Sequence, residues 1–411
     1  MLSAVFCNVY GTAFAVEPQP TPARKVLPKL SVVMPCLNEA ETLATCIGKA
    51  RNALDELAIA GEVVIADNGS TDGSQEIARR SGARVVDVSE RGYGYALRGG
   101  VSAALGEWII IGDADDSYDF GSIAPFVRQL GRGCELVIGC RLPRGNGRIM
   151  KDAMPWKHRW IGNPALTFLG RLFFKSPAND FHCGLRAITK DAFLKMNLTS
   201  SGMEFASEMV MKASFAKLRV AEVPITLHKD GRSRPPHLRS WQDGWRHLRL
   251  MLLHCPLWLF FVPGAVLSLG GIAVETAIAT RPFHIGIFGF ESNTLVVSSL
   301  AIVVGMQLIF FALFARMFAV HQGFLPESRR LKVFELIFTL ERGIWAGLLL
   351  GGLGLGQLLH AVWLWRNTGF GPLPTAETLR LVVPATTFIA CGVELIFASF
   401  LLSILRLPHV R

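Results

Sequence analysis

Hydrophobic and polar positions change their rhythm along this chain. From about residue 30 to 230, short β-branched and apolar runs alternate with polar, helix-forming stretches, separated by loops rich in Gly, Asn, Asp and Ser. "KLSVVMPCLNEAETL" reads as a buried strand, a loop at residues 35–38, and a helix opened by Glu39 and Glu41. Acidic residues suit that positive end of a helix. "GEVVIADNGSTDGSQEIARRSG" repeats the order: a strand at 63–66, a polar loop, a helix, then Gly82 as terminator. "ARVVDVSE", "EWIIIGDADD" and "CELVIGCR" add three strands, with helices in "YALRGGVSAALG" and "IAPFVRQLGRG". This alternation predicts a mostly parallel sheet with helices on both faces. Ligands of such sheets bind outside the carboxyl ends of the strands. The loops holding Asn38, Asp67 and residues 113–116 share that rim.

Beyond residue 255 apolar runs dominate. Four spans, about 255–279, 294–320, 343–365 and 381–405, can each cross a hydrocarbon core of about 30 Å, which takes roughly 20 helical residues. Residues 236–253, with Trp241, Trp245, Leu248 and Leu252 among Arg239, Arg246 and Arg249, predict an amphipathic helix at the membrane surface. Residues 1–28 start apolar, end Pro-rich and lack the positive n-region of a signal peptide, so they read as a flexible leader. The expected order is leader, α/β domain at 29–235, interfacial segment at 236–253 and membrane domain at 254–411. Lys and Arg concentrate before the first span, in the loop 321–342 (Arg329, Arg330, Lys332, Arg342) and at the C-terminus. The positive-inside rule then puts the α/β domain on the cytoplasmic face of the cell membrane. Glu275, Arg316 and Glu394 lie in or near the spans, where a functional role and helix-to-helix pairing both remain open. "GGLGLG" at 351–356 reads as a site of close helix packing.

Composition agrees: 51% hydrophobic and 18% charged residues, against about 25% charged in ordinary soluble chains. The net charge is +10, and many of the basic residues lie in "HKDGRSRPPHLRSWQDGWRHLRL", next to the first span. Anionic lipid headgroups explain that cluster, and no nucleic-acid module is present. Eight scattered cysteines without a C-x-x-C pair argue against a disulfide framework or structural zinc. "GYGYALRG" at 92–99 has the wrong spacing and position for a dinucleotide fingerprint.

The chemistry concentrates in "WIIIGDADDSYDF", where Asp113, Asp115, Asp116 and Asp119 follow a buried strand. Crowded carboxylates repel unless a cation sits among them. A D-x-D pair at a strand end suits Mg²⁺, held by one or two carboxylates and by substrate phosphates. Asp119 reads as a helix cap. Arg141, Lys157, His158, Arg159, Arg186, Arg232 and Arg234 follow on the way to the membrane, and arginine forks match phosphate bidentately.

Six stretches in order, "VVMPCLNEAETL", "IADNGSTDGS", "GYGYALRGGVSAALGEWIIIGDADDSY", "VIGCR", "DFHCGLRAITKDAF" and "EVPITLHKDGRSR", resemble glycosyltransferase family 2. Within it they resemble the polyprenyl-phosphate glycosyltransferases, including dolichyl-phosphate mannose and glucose synthases. The resemblance covers roughly residues 30–235. It implies a GT-A type domain and an inverting hexose transfer from UDP-glucose or GDP-mannose to a polyprenyl phosphate, with Mg²⁺ or Mn²⁺. By the match, Pro35, Asn38, Glu39, Asp67, Asp113 and Ala114 line the nucleotide-sugar pocket, and Asp113 and Asp115 hold the metal. Asp115, Arg141 and Arg186 are the expected catalytic residues. Arg141, His158, Arg159, Arg186, Arg232 and Arg234 are expected on the acceptor phosphate. Ser117 stands where several relatives have Gln, Cys183 where Ser is common, and Leu185 where an aromatic is common. Two alternatives are a polysaccharide synthase, whose Q-x-x-R-W is replaced here by "QDGWR" at 242–246, and a non-catalytic nucleotide-sugar sensor. Intact Asp67, Asp113 and Asp115 oppose the sensor. Homo-oligomerisation is left open.

Overall fold

The computed structural model describes residues 28–234, 240–280, 283–285 and 288–407. The leader up to residue 27, and residues 235–239 of the interfacial stretch with Arg239, lie outside the described residues. The strands are β1 Leu30–Cys36, β2 Gly61–Asp67, β3 Arg84–Asp87, β4 Trp108–Ile111, β5 Leu136–Cys140, β6 Arg148–Ile149, β7 Arg186–Thr189, β8 Val220–Pro224 and β9 Thr226–Leu227. Seven form one sheet in the order β3-β2-β1-β4-β7-β5-β8. β1 runs parallel to β2 and β4, and Cys36 pairs with Asp67 while Val33 pairs with Ile111. The carboxyl ends of these three central strands therefore open on one rim.

Flanking helices are α1 Leu43–Glu56, α2 Ser74–Arg80, α3 Tyr93–Ala103, α4 Ala124–Gly131, α5 Asn163–Phe174, α6 Lys190–Met196, α7 Phe205–Phe215 and α8 Ser240–Leu253. α1 shows why they dock: Leu43, Cys46, Ile47, Ala50 and Leu54 recur at helical spacing and are all buried. β7 is the exception to the parallel pattern. It runs antiparallel between β4 and β5, and three of its four residues are buried. Its Arg186 therefore belongs to the middle of the sheet.

Among the described residues, four helices are long and apolar enough to cross a membrane: Leu257–Ile278, Ser292–His321, Leu340–Asn367 and Thr375–Leu405. The loop at 321–342 carries one further short helix, Arg329–Ile337. Glycines set the closest crossing. A Cβ at Gly347 would fall 2.6 Å from the Gly392 carbonyl, and one at Gly354 would fall 2.4 Å from that of Ala385. Within "GGLGLG" Gly354 meets the neighbouring helix and the Gly351 backbone lies against Gly392, while Cβ atoms at Gly352 and Gly356 would meet open space. Glu394 accepts a hydrogen bond from Gln307 Nε2 at 2.8 Å across two spans, the pairing alternative weighed for it.

Candidate active site

Asp67 ends β2, and its turn is built around its own carboxylate. Oδ2 accepts from Gly69 N (3.0 Å), Ser70 N (3.1 Å) and Gln75 Nε2 (2.7 Å). Burial works against its charge, but these donors outweigh that and hold the carboxyl below its usual range. Oδ1 is buried and has no hydrogen-bond partner. A buried acceptor without a donor is costly and marks a place for a ligand N–H. Asn38 adopts φ 58°, and its Oδ1 accepts from Thr71 N at 2.7 Å, which locks the β1 and β2 loops together. Glu39 donates from its backbone to Ser74 Oγ and keeps Oε2 buried without a partner. Pro35 is paired with Ala66 in the β1–β2 register just below this rim.

The acidic pair follows β4. Tyr93 donates its hydroxyl to Asp113 Oδ1 at 2.8 Å, and a Cβ at Gly184 would sit 2.6 Å from Asp113 Oδ2. Glycine thus lets the "DFHCGL" backbone approach that carboxylate. Burial, and then the charge of Asp115, push the Asp113 carboxyl up to about 7. Asp115 accepts from Ser117 N (3.0 Å) and Ser117 Oγ (2.6 Å) on Oδ1, while Arg232 Nη2 lies 2.7 Å from Oδ2. Thr42 Oγ1 fixes the intervening Ala114 carbonyl at 2.6 Å. Tyr93 and Thr42 sat inside recognised motifs, but nothing in their spacing singled them out. Asp116 has φ 60° and pairs with Lys49 Nζ at 2.7 Å. Asp119 caps the next turn, accepting from Gly121 N, as its position predicted.

Two hard carboxylates, one already partnered by a cationic side chain, fit a divalent ion that completes its shell with phosphates and water. Among the described residues no cluster of three or more His, Cys, Asp or Glu forms a closed metal cage.

The arginines are distributed differently from expectation. Arg232 and Arg234 were expected on the acceptor side, but both bind Glu39 Oε1, at 3.1 and 2.9 Å, and Arg234 also donates to the Leu37 and Asn38 carbonyls. They therefore sit against the β1 loop. Arg186 is only 2% exposed, and its guanidinium donates to the carbonyls of Cys183 (2.7 Å), Ala206 (2.6 Å) and Phe181 (2.7 Å). Those bonds engage three of its five N–H donors with backbone carbonyls. Arg141 donates Nε and Nη2 to Asp180 at 2.8 and 2.9 Å, and Nη1 to the Tyr118 hydroxyl at 3.3 Å. It braces the site instead of presenting an open fork. His158 and Arg159 stand in a π-helical turn, His158–Gly162, before α5. Among the described residues neither bonds to the aspartates. α8 is tied to the site loop by Ser207 Oγ, which shares hydrogen bonds with His247 Nδ1 (2.8 Å) and His182 Nε2 (3.2 Å).

Beside Asp116 lies an open cleft of about 650 Å³ lined by Lys49, Asp116, Asp119, Met150, Lys151, His228 and Lys229. Its lining carries three lysines against two aspartates, and Lys49 is already paired with Asp116.

Comparison with known proteins gives two family matches. The profile of Glycosyl transferase family 2 matches residues 31–196, and that of the Glycosyltransferase family 2 C-terminal transmembrane region matches residues 313–406. The chain is 38% identical over 384 residues to the low-salt glycan biosynthesis hexosyltransferase Agl6 of Haloferax volcanii, covering 92% of this chain and 89% of that one. It is 29% identical over 196 residues to a dolichyl-phosphate hexose transferase of the same organism, covering 48% of this chain and 81% of the other. Among solved structures, glucosyl-3-phosphoglycerate synthase from Mycobacterium tuberculosis, crystallised with Mn²⁺, UDP and glucosyl-3-phosphoglycerate, aligns at 23% identity and a TM-score of 0.45. That alignment covers 56% of this chain and 80% of that one.

Proposed function

The chain belongs to glycosyltransferase family 2, with a GT-A type α/β domain joined to a membrane domain, and from that premise we propose that it transfers a hexose from a nucleotide sugar to a polyprenyl phosphate at the cytoplasmic membrane face. The carrying observation is the Asp113–Asp115 pair at the end of β4, braced by Tyr93 and Ser117 and already partnered by Arg232. Asp67 and Asn38 receive the nucleotide, and Asp67 Oδ1 supplies the open acceptor for a base N–H. Asp113 and Asp115 hold Mg²⁺ or Mn²⁺, which when bound neutralises the departing diphosphate. Arg232 and Arg234 add positive charge on the same side. α8, with Trp241 and Trp245 exposed, supports a membrane seat, where a lipid-linked acceptor would arrive.

A radiolabelled donor screen tests this. Membranes containing the protein are given UDP-glucose, GDP-mannose and other nucleotide sugars, and label is scored in the lipid phase. Acid-labile lipid-linked label supports the proposal. Label found only in polymer would replace it with the polysaccharide-synthase reading.

A phosphate acceptor needs no general base. Its second ionisation lies near about pH 6, so its oxygens are anionic at neutral pH and need only positioning. Three nearby carboxylates are paired with cations: Asp116 with Lys49, Asp180 with Arg141, and Glu39, through Oε1, with two arginines. Asp116→Asn is therefore expected to keep transfer within about tenfold of the parent, well short of the larger loss a missing general base brings. Activity should rise through the acceptor's second ionisation and then level off. Complete loss in Asp116→Asn, with donor and metal still bound, would reinstate a hydroxyl acceptor.

Orientation is tested separately. Reporter fusions after residues 285, 335, 372 and 411 are expected to read outside, inside, outside and inside. An outside C-terminus contradicts the cytoplasmic placement.

A further inference from the structure

Arg316 lies near the end of the second span, Ser292–His321, and among the described residues it has no hydrogen-bond or ion-pair partner. Its place follows from how the first two spans pack. A Cβ at Gly271 would fall 2.7 Å from the Ser298 carbonyl, and one at Gly264 would fall 2.7 Å from that of Gly305 and 3.0 Å from Ile309 N. The two helices therefore run antiparallel, and residues 298, 305 and 309 belong to the side of the second span that meets the first. Arg316 continues that stripe about two turns further on. Its guanidinium belongs between helices.

Carried on to Arg316, the same register reaches Leu253, the last residue of α8. Two other contacts agree with it. The Phe311 ring lies 6.3 Å from that of Phe260, and the charge of Arg316 acts on the Cys255 thiol. Cys255 Sγ in turn lies 3.9 Å from the Phe173 carbonyl of α5. Arg316 thus stands where the α/β domain, α8 and the membrane helices meet. The first span begins at Leu257, so this is the depth of the headgroup boundary.

An unpaired cation beside hydrocarbon is costly, so this one calls for a counter-charge. The protein's own acids are committed elsewhere. Glu208 and Lys212, which act on His254 at the same junction, pair with each other at 2.8 Å, and Glu394 is bonded by Gln307. The anion then has to be one that partitions into the bilayer at headgroup depth. A lipid phosphate does so, and a guanidinium fork matches its oxygens bidentately. Leu257 and Phe261, 48 and 40% exposed at the foot of the first span, offer apolar surface to the attached chains.

We propose that Arg316 and the foot of the first span form a binding site for a lipid phosphate, on the membrane face that carries the α/β domain. The hexosyl-transfer reading is not needed for this. An anionic phospholipid and a lipid-linked monophosphate present the same chemistry to the guanidinium, and the test separates them.

The full chain, purified in detergent, is titrated with phosphatidylglycerol and separately with a polyprenyl monophosphate, and bound lipid is counted by native mass spectrometry. Diacylglycerol has the tails without the phosphate, and glycerol phosphate has the phosphate without the tails, so neither should compete. Arg316→Gln should weaken binding of at least one phosphate lipid by about tenfold or more, the loss expected for a charge-assisted hydrogen bond. Arg316→Lys keeps the charge, and with it the fold, but lacks the fork, so its binding should fall between the two. Arg342→Gln is the control for general charge. Arg342 stands at the start of the third span on the same face, and its Nη1 donates to the Ile337 carbonyl at 2.9 Å, so binding should not change. A loss confined to the polyprenyl monophosphate identifies a lipid-linked monophosphate as the occupant, and a loss that includes phosphatidylglycerol identifies phospholipid. Binding of neither lipid by the parent, unchanged binding in Arg316→Gln and Arg316→Lys, or an equal loss in Arg342→Gln overturns the proposal.

Discussion

Asparagine at position 115 is expected to lower transfer by about a thousandfold or more, since it removes half of the charge that holds the cation on the donor diphosphate. Substitution Asp115→Asn keeps the shape, and its amide oxygen still accepts from Ser117 N and Oγ. Arg232 loses one partner but retains Glu39 and Asp230. The fold should therefore survive, with a stability change of about 1–2 kcal/mol, the range of an ordinary substitution. Chelator should silence the parent protein, and Mg²⁺ or Mn²⁺ should restore it. Asp113 adds a pH signature, because burial and the neighbouring charge push its carboxyl up to about 7. A proton then competes with the metal, so Mn²⁺ affinity should fall as pH drops from about 8 to 6 even without acceptor. Measuring Mn²⁺ binding by itself separates this from ionisation of the acceptor. Full transfer in excess chelator would falsify the metal assignment.

The rim was legible because each of its parts obeys a local rule. Strand ends followed by Asn, Asp and Gly announce themselves in the sequence, and β1, β2 and β4 then bring Asn38, Asp67 and Asp113 together. The membrane spans were legible for the same reason, since length and apolarity suffice. The arginines were not. A guanidinium bonding three carbonyls inside a domain looks, in a sequence, the same as one waiting for phosphate. Only β7, a four-residue antiparallel insertion without a clear period, shows that Arg186 is interior. Arg232 and Arg234 lie about 200 residues from Glu39, and a contact at that separation leaves no periodic signal. The helix at 156–174 was missed because its π turn breaks the 3.6-residue repeat on which amphipathicity is judged.

Removing the carboxylate of Asp180 should cost more stability than removing any surface acid. Asp180 is fully buried and receives Arg141 three times, from its backbone N at 3.1 Å, Nε at 2.8 Å and Nη2 at 2.9 Å. Burial would raise its pKa, but the Arg141 charge and bonds outweigh this, and the carboxyl is held below its usual range. In Asp180→Ala the guanidinium stays buried with only the Tyr118 hydroxyl recorded as a side-chain partner. Leaving one member of a buried pair uncompensated costs about 3–5 kcal/mol. The companion double variant, Asp180→Ala with Arg141→Met, removes both charges and should recover most of that loss, because a buried pair replaced by apolar groups is often close to neutral. The pH sign follows from the depressed carboxyl. Its stabilisation is complete above the unfolded-state value of about 4 and disappears as pH falls through the lower folded value. Acid melts of the parent should therefore steepen below about pH 4, and those of the double variant should steepen less, since Asp67, Glu208 and the other depressed carboxyls remain. Denaturation in detergent at neutral pH reads the first effect. A single variant within about 1 kcal/mol of the parent would mean that the clamp carries no net stability. Arg141 would then be free to turn toward an acceptor, the role first expected for it.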